Sequence, residues 1–482
     1  MVQAENRGGG SERNRRGPSR RALVAGAVSA ATGLGAGAWL FTSCQRDTGS
    51  GKGEPGSKAT PPSGTAAPDT APSWPINITF NTAPPAFEGD TLYCAEYGGR
   101  VRAFDAISGR ERWRFTPPRE VSLKKDVQQS TPLLGDGLVV TGRWGRSSAV
   151  FALEAATGTL LWSRQLSGSL SSCTRWKDLV IYADQNPSEP PDIGTGHVYA
   201  VRATTGKPVW EISVPATQHL IPLDDSLLIK HIDQIGHPDS GWDGQMRAVD
   251  PRTGRSLWRS PVEMSNPTGE RSASVVGYTP IIDGVLLAWF LADSLEQPQL
   301  DAWRLSDGAL LWTRRGDESL TEPAVGASHN LYVAADGRCI ALDARSGREI
   351  WSRRRHKASH ETPVLHGETL IVPEYTAHAD SSRLGTSRLL FLNAATGEMS
   401  HFWEQRDDVD IVATEGGVVY ASVHTALGNR SELAAIDISS GKQMWVRAVE
   451  SGNSYEARGE FLYVYGSRMI DRLHARTGKP TR

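Results

Sequence analysis

Asp343-Ala344-Arg345-Ser346-Gly347-Arg348-Glu349-Ile350-Trp351 decides the fold, because near-copies of these nine residues recur down almost the whole chain. The copies end at Trp113, Trp162, Trp210, Trp258, Trp312, Trp351, Trp403 and Trp445. A glycine stands four residues before the Trp at Gly109, Gly158, Gly206, Gly254, Gly308, Gly347 and Gly441; Gly397 lies six before Trp403, and Gly478 has no Trp after it. From Gly to Gly the spacings run 49, 48, 48, 54, 39, 50, 44 and 37. Such a period is one supersecondary unit used many times, so the 482 residues read as one closed array rather than two or three ordinary domains.

The sixth unit shows what the repeat builds. Glu322-Pro323-Ala324-Val325, Asn330 to Ala334 and Cys339 to Leu342 are short apolar runs separated by Gly/Asp turns, and the quoted phrase leads into a fourth run at Glu349-Ile350-Trp351. This pattern predicts four antiparallel strands, A to D. Asp343 is placed to accept hydrogen bonds from the backbone N–H groups that follow it, and Gly347 takes the left-handed position of the C–D turn. Its slot is filled by Asp105, Glu154, Asp250, Asn393 and Asp437, but by Arg202, Arg304 and His474 elsewhere. A catalytic carboxylate would not be copied around a ring, so the acid is a turn residue. Two positions before it stands Ala, with Phe391 and Arg472 as exceptions, which lets neighbouring sheets approach closely. The Trp then fills the wedge between sheets, each burying on the order of 200 Å².

Radially arranged four-stranded sheets make a β-propeller. The last unit stops at Lys479-Pro480 without its Trp, while Trp74-Pro75-Ile76-Asn77-Ile78 has a Trp and no unit of its own. Trp74 is therefore expected to bring the missing strand and close the ring over residues 74–482. A literal count of the repeats predicts nine blades.

The first 44 residues are a different text. Arg7, Arg13, Arg15 and Arg16 lead to Arg20-Arg21, and Ala22 to Ser43 carries no charge before Cys44. A basic start, an apolar middle and small residues at the end make an export signal. Arg20 and Arg21 resemble the twin-arginine motif, and Phe41-Thr42-Ser43-Cys44 resembles a lipobox with Cys44 as the lipidated residue. An uncleaved helical anchor and cleavage near Ala36-Gly37-Ala38 are the alternatives, since 22 charge-free residues are long enough to cross a bilayer. All three place the remainder on the extracytoplasmic face of the cell membrane. Residues 45–73 are rich in Pro, Gly, Ser, Thr and Ala without a large apolar side chain, the composition of a tether.

Discounting the six arginines and two glutamates of the signal, the net charge is near −6, which invites neither nucleic acid nor anionic lipid. Cys94, Cys173 and Cys339 fall in different units and read as buried thiols rather than a disulfide set.

The phrase A-x-D-x-x-[ST]-G-x-x-x-W resembles the PQQ-like repeat of the quinoprotein alcohol dehydrogenase-like propellers, over residues 74–478. The resemblance implies the propeller fold and favours eight blades, with one unit irregular. It also brings in two kinds of relative: dehydrogenases that hold pyrroloquinoline quinone with Ca²⁺, and cofactor-free members. The chain has no Cys-Cys pair like that of the alcohol dehydrogenases and no evident Glu, Asn and Asp set matching their calcium site. The signal, lipobox-like end, tether and bare propeller are similar to the outer-membrane-protein assembly lipoprotein branch. The resemblance thus implies no cofactor and a non-catalytic monomer that binds a protein or envelope ligand. A quinone-dependent oxidoreductase and a small-ligand sensor using the central channel are the alternatives.

In a propeller the B–C and D–A connections emerge on one face, the A–B and C–D turns on the other. Extra residues fall between B and C at Asp184–Gly196, His231–Gly244, Ala292–Gln299, Glu374–Ser387 and His424–Ser431, and between D and A at Arg114–Ser130 and Arg259–Tyr278. Irregular loops on a rigid scaffold are where binding resides. Candidates on that face are Arg143, Trp144 and Arg146, suited to an acidic or aromatic partner; His231, Asp233, His237, Trp242 and Asp243, read as a polar loop whose spacing matches no standard metal site; and Glu374, Tyr375, His378 and Arg383, a similar mixture. Trp144 lying against its own blade is the alternative for that residue. No nucleophile elbow, phosphate loop, His-Glu-x-x-His or Cys-x-x-Cys occurs.

Overall fold

The computed structural model describes residues 74–481, apart from 80–82, 118–129, 144–147, 186–194, 216, 236–241, 263–272, 276–280, 293–298, 317–319, 327–328, 336, 356–361, 377–384, 425–429, 451 and 467. Export signal, lipobox and tether, with Arg20, Arg21 and Cys44, lie outside the described residues, as do Trp144, Arg146, His237, His378 and Arg383.

Every described element is a β-strand, and the strands form nine antiparallel sheets, eight of them traversed A to B to C to D. The sixth blade runs Ala324–Val325, Asn330–Ala335, Arg338–Asp343 and Glu349–Arg354, as its alternating pattern predicts. Adjacent blades meet along their A strands, which therefore line the axis, and the D strands form the outer rim. The literal count of nine is the observed one; the eight blades favoured by resemblance are not. No unit is irregular enough to drop out. The fifth comes closest, with strand A in two pieces, Ala273–Val275 and Ile281–Ile282, yet both pair with Val285–Ala292 and the sheet is complete.

The ninth blade contains Ser454–Arg458, Phe461–Tyr465 and Met469–His474, and its outer strand is Ile76–Asn77, paired with Ile470 and Met469. The ring is closed by the N-terminal strand. Continuing that register sets Trp74 opposite Arg472, as Trp351 sits opposite Ala341. The larger partner changes the seam: the Arg472 guanidinium lies 4.8 Å from the Trp74 ring centroid and 4.1 Å from that of Phe461, and Nη1 donates to Ala106 O at 2.6 Å.

The turn phrase behaves as its chemistry requires. Asp343 accepts from the Ser346 backbone N–H at 2.8 Å and from the Ser346 hydroxyl at 2.6 Å, which holds its carboxyl below the usual range. Gly347 has φ +67°, in the left-handed region that favours glycine. A second constraint comes from the preceding blade: a Cβ on Gly347 would sit 2.6 Å from the Trp312 ring. The same holds for Gly158 under Trp113, Gly206 under Trp162, Gly254 under Trp210, Gly308 under Trp258, Gly397 under Trp351 and Gly478 under Trp445. Each of these indoles donates to a backbone carbonyl beside that glycine, for example Trp113 Nε1 to Ala155 O at 2.8 Å and Trp351 Nε1 to Ala394 O at 3.0 Å. The Trp of one blade is thus docked into the C–D turn of the next.

Trp403 departs from the expected role. Over Gly441 lies His401, four residues after Gly397 as the rule demands, and its Nε2 is 2.9 Å from Ile438 O. A carbonyl only accepts, so Nε2 carries the proton. Opposite His401 stands Phe391 in place of the usual Ala, stacked on the imidazole with centroids 4.6 Å apart. The large residue has moved across the strand pair and the wedge has shrunk to match. Trp403 is buried two residues further along, among Val409, Ile411 and Val419 of the eighth blade.

Cys94 and Cys339 are buried and Cys173 is partly so; all three are free thiols. Burial raises each thiol above its ordinary range, to about 12 for Cys173 and Cys339, so none is a ready nucleophile at neutral pH.

Candidate functional site

The B–C and D–A connections emerge together on one face, but part of what reads as loop in the sequence is extended hairpin. In the fourth blade strand B runs on to Ile235 and strand C begins at Trp242, with Ile235 opposite Trp242 and Gln234 opposite Asp243. His231, Asp233, Trp242 and Asp243 therefore occupy strand positions, and only 236–241 lies between. Likewise Glu374 and Tyr375 belong to the strand Thr369–Thr376, where Tyr375 pairs with Ser387 and its hydroxyl accepts from Gly385 N at 3.2 Å. Extra residues with alternating character prolong a pairing already begun rather than leave backbone groups unpaired.

Counting strand B from the residue opposite the turn acid exposes a pattern that no linear motif carries. Its sixth position is Glu96 in the first blade, Arg143 in the second, Asp184 in the third, His231 in the fourth and Glu374 in the seventh. Glu96, Arg143 and Asp184 are each 1% exposed and Glu374 is 3% exposed. Ionised groups so buried are held only when partnered. Glu96 accepts from Arg102 Nη1 at 2.9 Å; the same guanidinium engages Glu111 and donates to Asn77 O of the closing strand at 2.8 Å. Asp184 accepts from Ser167 Oγ and from His197 N, both at 3.2 Å. Burial lowers the pKa of Arg143.

The register therefore joins three of the residues singled out by sequence, Arg143, His231 and Glu374, to two that were missed, Glu96 and Asp184, at one position of strand B in five of the nine blades. Each missed residue closes an ordinary apolar run, and only the pairing with strand C shows that they share one position.

A second missed constellation crosses the eighth blade. His424 Nε2 lies 2.7 Å from Asp410 Oδ2, and Ser431 Oγ is 3.5 Å from His424 Nδ1. The hydrogen bond to Asp410 raises the imidazole pKa. An Asp–His–Ser order suggests acyl transfer, but Ser431 is 2% exposed, so its hydroxyl does not meet a substrate. The arrangement ties strands A, B and C together.

Among the described residues no group of three or more His, Cys, Asp or Glu side chains is placed to hold a metal ion.

A family model described as outer membrane protein assembly factor BamB matches residues 26–221 and 242–480. The chain belongs to this family. Among individual relatives, the outer membrane protein assembly factor BamB of Yersinia pestis is 24% identical over 297 residues, covering 60% of this chain and 70% of its own length. That of Shewanella oneidensis is 22% identical over 369 residues, covering 72% and 84%. A quinoprotein ethanol dehydrogenase of Pseudomonas putida is 27% identical over 243 residues, 46% of this chain and 37% of the enzyme. The residues of the rim differ from blade to blade within this chain. No helix among the described residues is long and apolar enough to cross a membrane.

Proposed function

We propose that this chain is a non-catalytic, extracytoplasmic scaffold, held at the membrane through its N-terminal region, that binds a protein partner through the B–C/D–A face. One observation carries the reading. Eight of the nine C–D turns on the opposite face hold the same left-handed glycine beneath a wedge from the neighbouring blade, whereas the B–C connections differ in length from blade to blade. A uniform face maintains the ring; a varied one discriminates among partners. The relatives' printed role in outer membrane protein assembly supports a protein as the ligand.

The test is site-specific photo-crosslinking in intact cells. Probes at 237 and 378, in the hairpins of the fourth and seventh blades, should give a discrete adduct, and probes at Asp178 and Glu368, in the A–B turns, should not. Equal adducts from both faces would sink the assignment.

The similarity to a quinoprotein dehydrogenase favours a second reading, quinone-dependent oxidation. Adding pyrroloquinoline quinone and Ca²⁺ to the full chain and following dye reduction with primary alcohols separates the two; turnover would overturn the scaffold.

A further inference from the structure

The first blade carries two arginines in direct register, Arg102 on strand C and Arg114 on strand D, and satisfies them with its own carboxylates. Glu111 lies between the two: Arg102 Nε donates to its Oε2 at 2.9 Å and Arg114 Nε to its Oε1 at 2.6 Å, while Glu96 accepts from Arg102 Nη1. The fourth blade repeats both arginines at the same positions, Arg247 opposite Arg259, one residue before the strand-C Ala and one after the strand-D Trp. The acids are gone. Ser256 stands where Glu111 stands in the first blade, and His231 where Glu96 stands. Among the described residues neither Arg247 nor Arg259 has a hydrogen bond or an ion pair, and Arg247 Nε is buried without an acceptor.

We propose that Arg247 and Arg259 are a binding site for a carboxylate from outside the chain, carried by a free acid or by a glutamate side chain of a polypeptide, which bridges the two guanidiniums as Glu111 does in the first blade. The row Leu220, Ile229, Arg247 and Arg259 crosses strands A to D in register, and its apolar half packs against the third blade. The arginines thus occupy the outer half of that seam. Opposite them the third blade turns Trp210 and Ile212 to the seam, and Glu211, between these two on an alternating strand, belongs to the other side of its sheet. Like charges directly opposite each other destabilise a strand pair, and a guanidinium removed from water calls for a partner. Burial by itself lowers Arg102, yet Glu96 and Glu111 outweigh it and raise the group; burial together with Arg259 lowers Arg247. A planar carboxylate offers two oxygens to two forks and removes both penalties. Arg259 is exposed and Arg247 partly so, which leaves the pair open to solvent. The site lies mid-strand on the outer rim and does not depend on the reading of the B–C/D–A face.

The experiment is a titration of the full chain, isotopically labelled at arginine nitrogen, with propionate, with the blocked peptide acetyl-Ala-Glu-Ala-amide and with chloride at matched ionic strength, following the arginine Nε–H signals by NMR. Both carboxylates should move the Arg247 and Arg259 signals saturably and leave those of Arg102 and Arg114, already occupied, in place. Chloride should give no saturable movement. Loss of one charge-assisted fork in Arg259→Gln should raise the half-saturating propionate concentration about tenfold. Ser256→Glu supplies the carboxylate from within, as the first blade does, and should shift both signals without added acid and abolish the response. Saturation at lower concentration by the peptide than by propionate assigns the site to a polypeptide side chain, and the reverse order assigns it to a free acid. Signals that stay in place, that move equally with chloride, or that respond undiminished in Ser256→Glu overturn the proposal.

Discussion

The docking of each wedge into the next blade predicts a measurable coupling between Trp113 and Gly158, residues 45 apart in sequence. Gly158 has φ +71°, and an added Cβ would lie 2.4 Å from Trp113 Cε3, too close for either to remain in place. Gly158→Ala alone should cost about 1–2 kcal/mol for the left-handed backbone and about 1–3 kcal/mol for overpacking against the indole. Trp113→Ala alone removes a side chain that is 3% exposed and the 2.8 Å hydrogen bond to Ala155 O. That costs about 3–5 kcal/mol for the cavity and roughly 1 kcal/mol for the hydrogen bond. In the double variant the indole is absent, so the overpacking disappears and only the backbone cost of the alanine remains. The double-mutant cycle should therefore close with about 1–3 kcal/mol of interaction, the double variant being more stable than the sum of the singles. Equilibrium urea unfolding followed by far-UV circular dichroism measures it. Additivity within about 0.5 kcal/mol would refute the wedge-on-turn account.

Four further outcomes follow from particular contacts. Deleting 74–78 removes buried Trp74, Ile76 and Ile78, worth on the order of 5 kcal/mol, and should lower the melting temperature by roughly 5 °C; an unchanged melting temperature would exclude the closing strand. His401→Trp should destabilise by about 1–3 kcal/mol because Phe391 already fills the space, and adding Phe391→Ala should recover most of that loss, as read from the urea midpoint. His424 gains a partner on folding and its pKa is raised, so the stabilisation from the Asp410 pair is complete below the ordinary histidine value of about 6.5 and is lost as pH rises through the folded value. An NMR titration should place His424 above 6.5 in the native chain and lower in Asp410→Asn; no difference would remove the pair from the account. Replacing Arg20 and Arg21 by Lys should leave the protein in the cytoplasm, and normal export of that variant in cell fractionation would exclude the twin-arginine reading.

The sequence by itself determined the class of fold. A Trp, a Gly and a turn acid returning about every 48 residues are local requirements of one hairpin, and a requirement met locally is visible in a linear text. The orphan Trp74 and the Trp-less last unit disclosed the closure for the same reason, since a missing strand is a gap in a count. Tertiary structure decided the rest. Which glycine each Trp covers depends on the packing of one blade against the next, and the exchange of bulk between Phe391 and His401 is intelligible only when both strands are seen opposite each other. Glu96 and Asp184 look like ordinary ends of apolar runs because strand register, not spacing, gives them a common level and a buried setting. A charge becomes informative when the structure shows what it has been removed from water to face, and neither composition nor period records that.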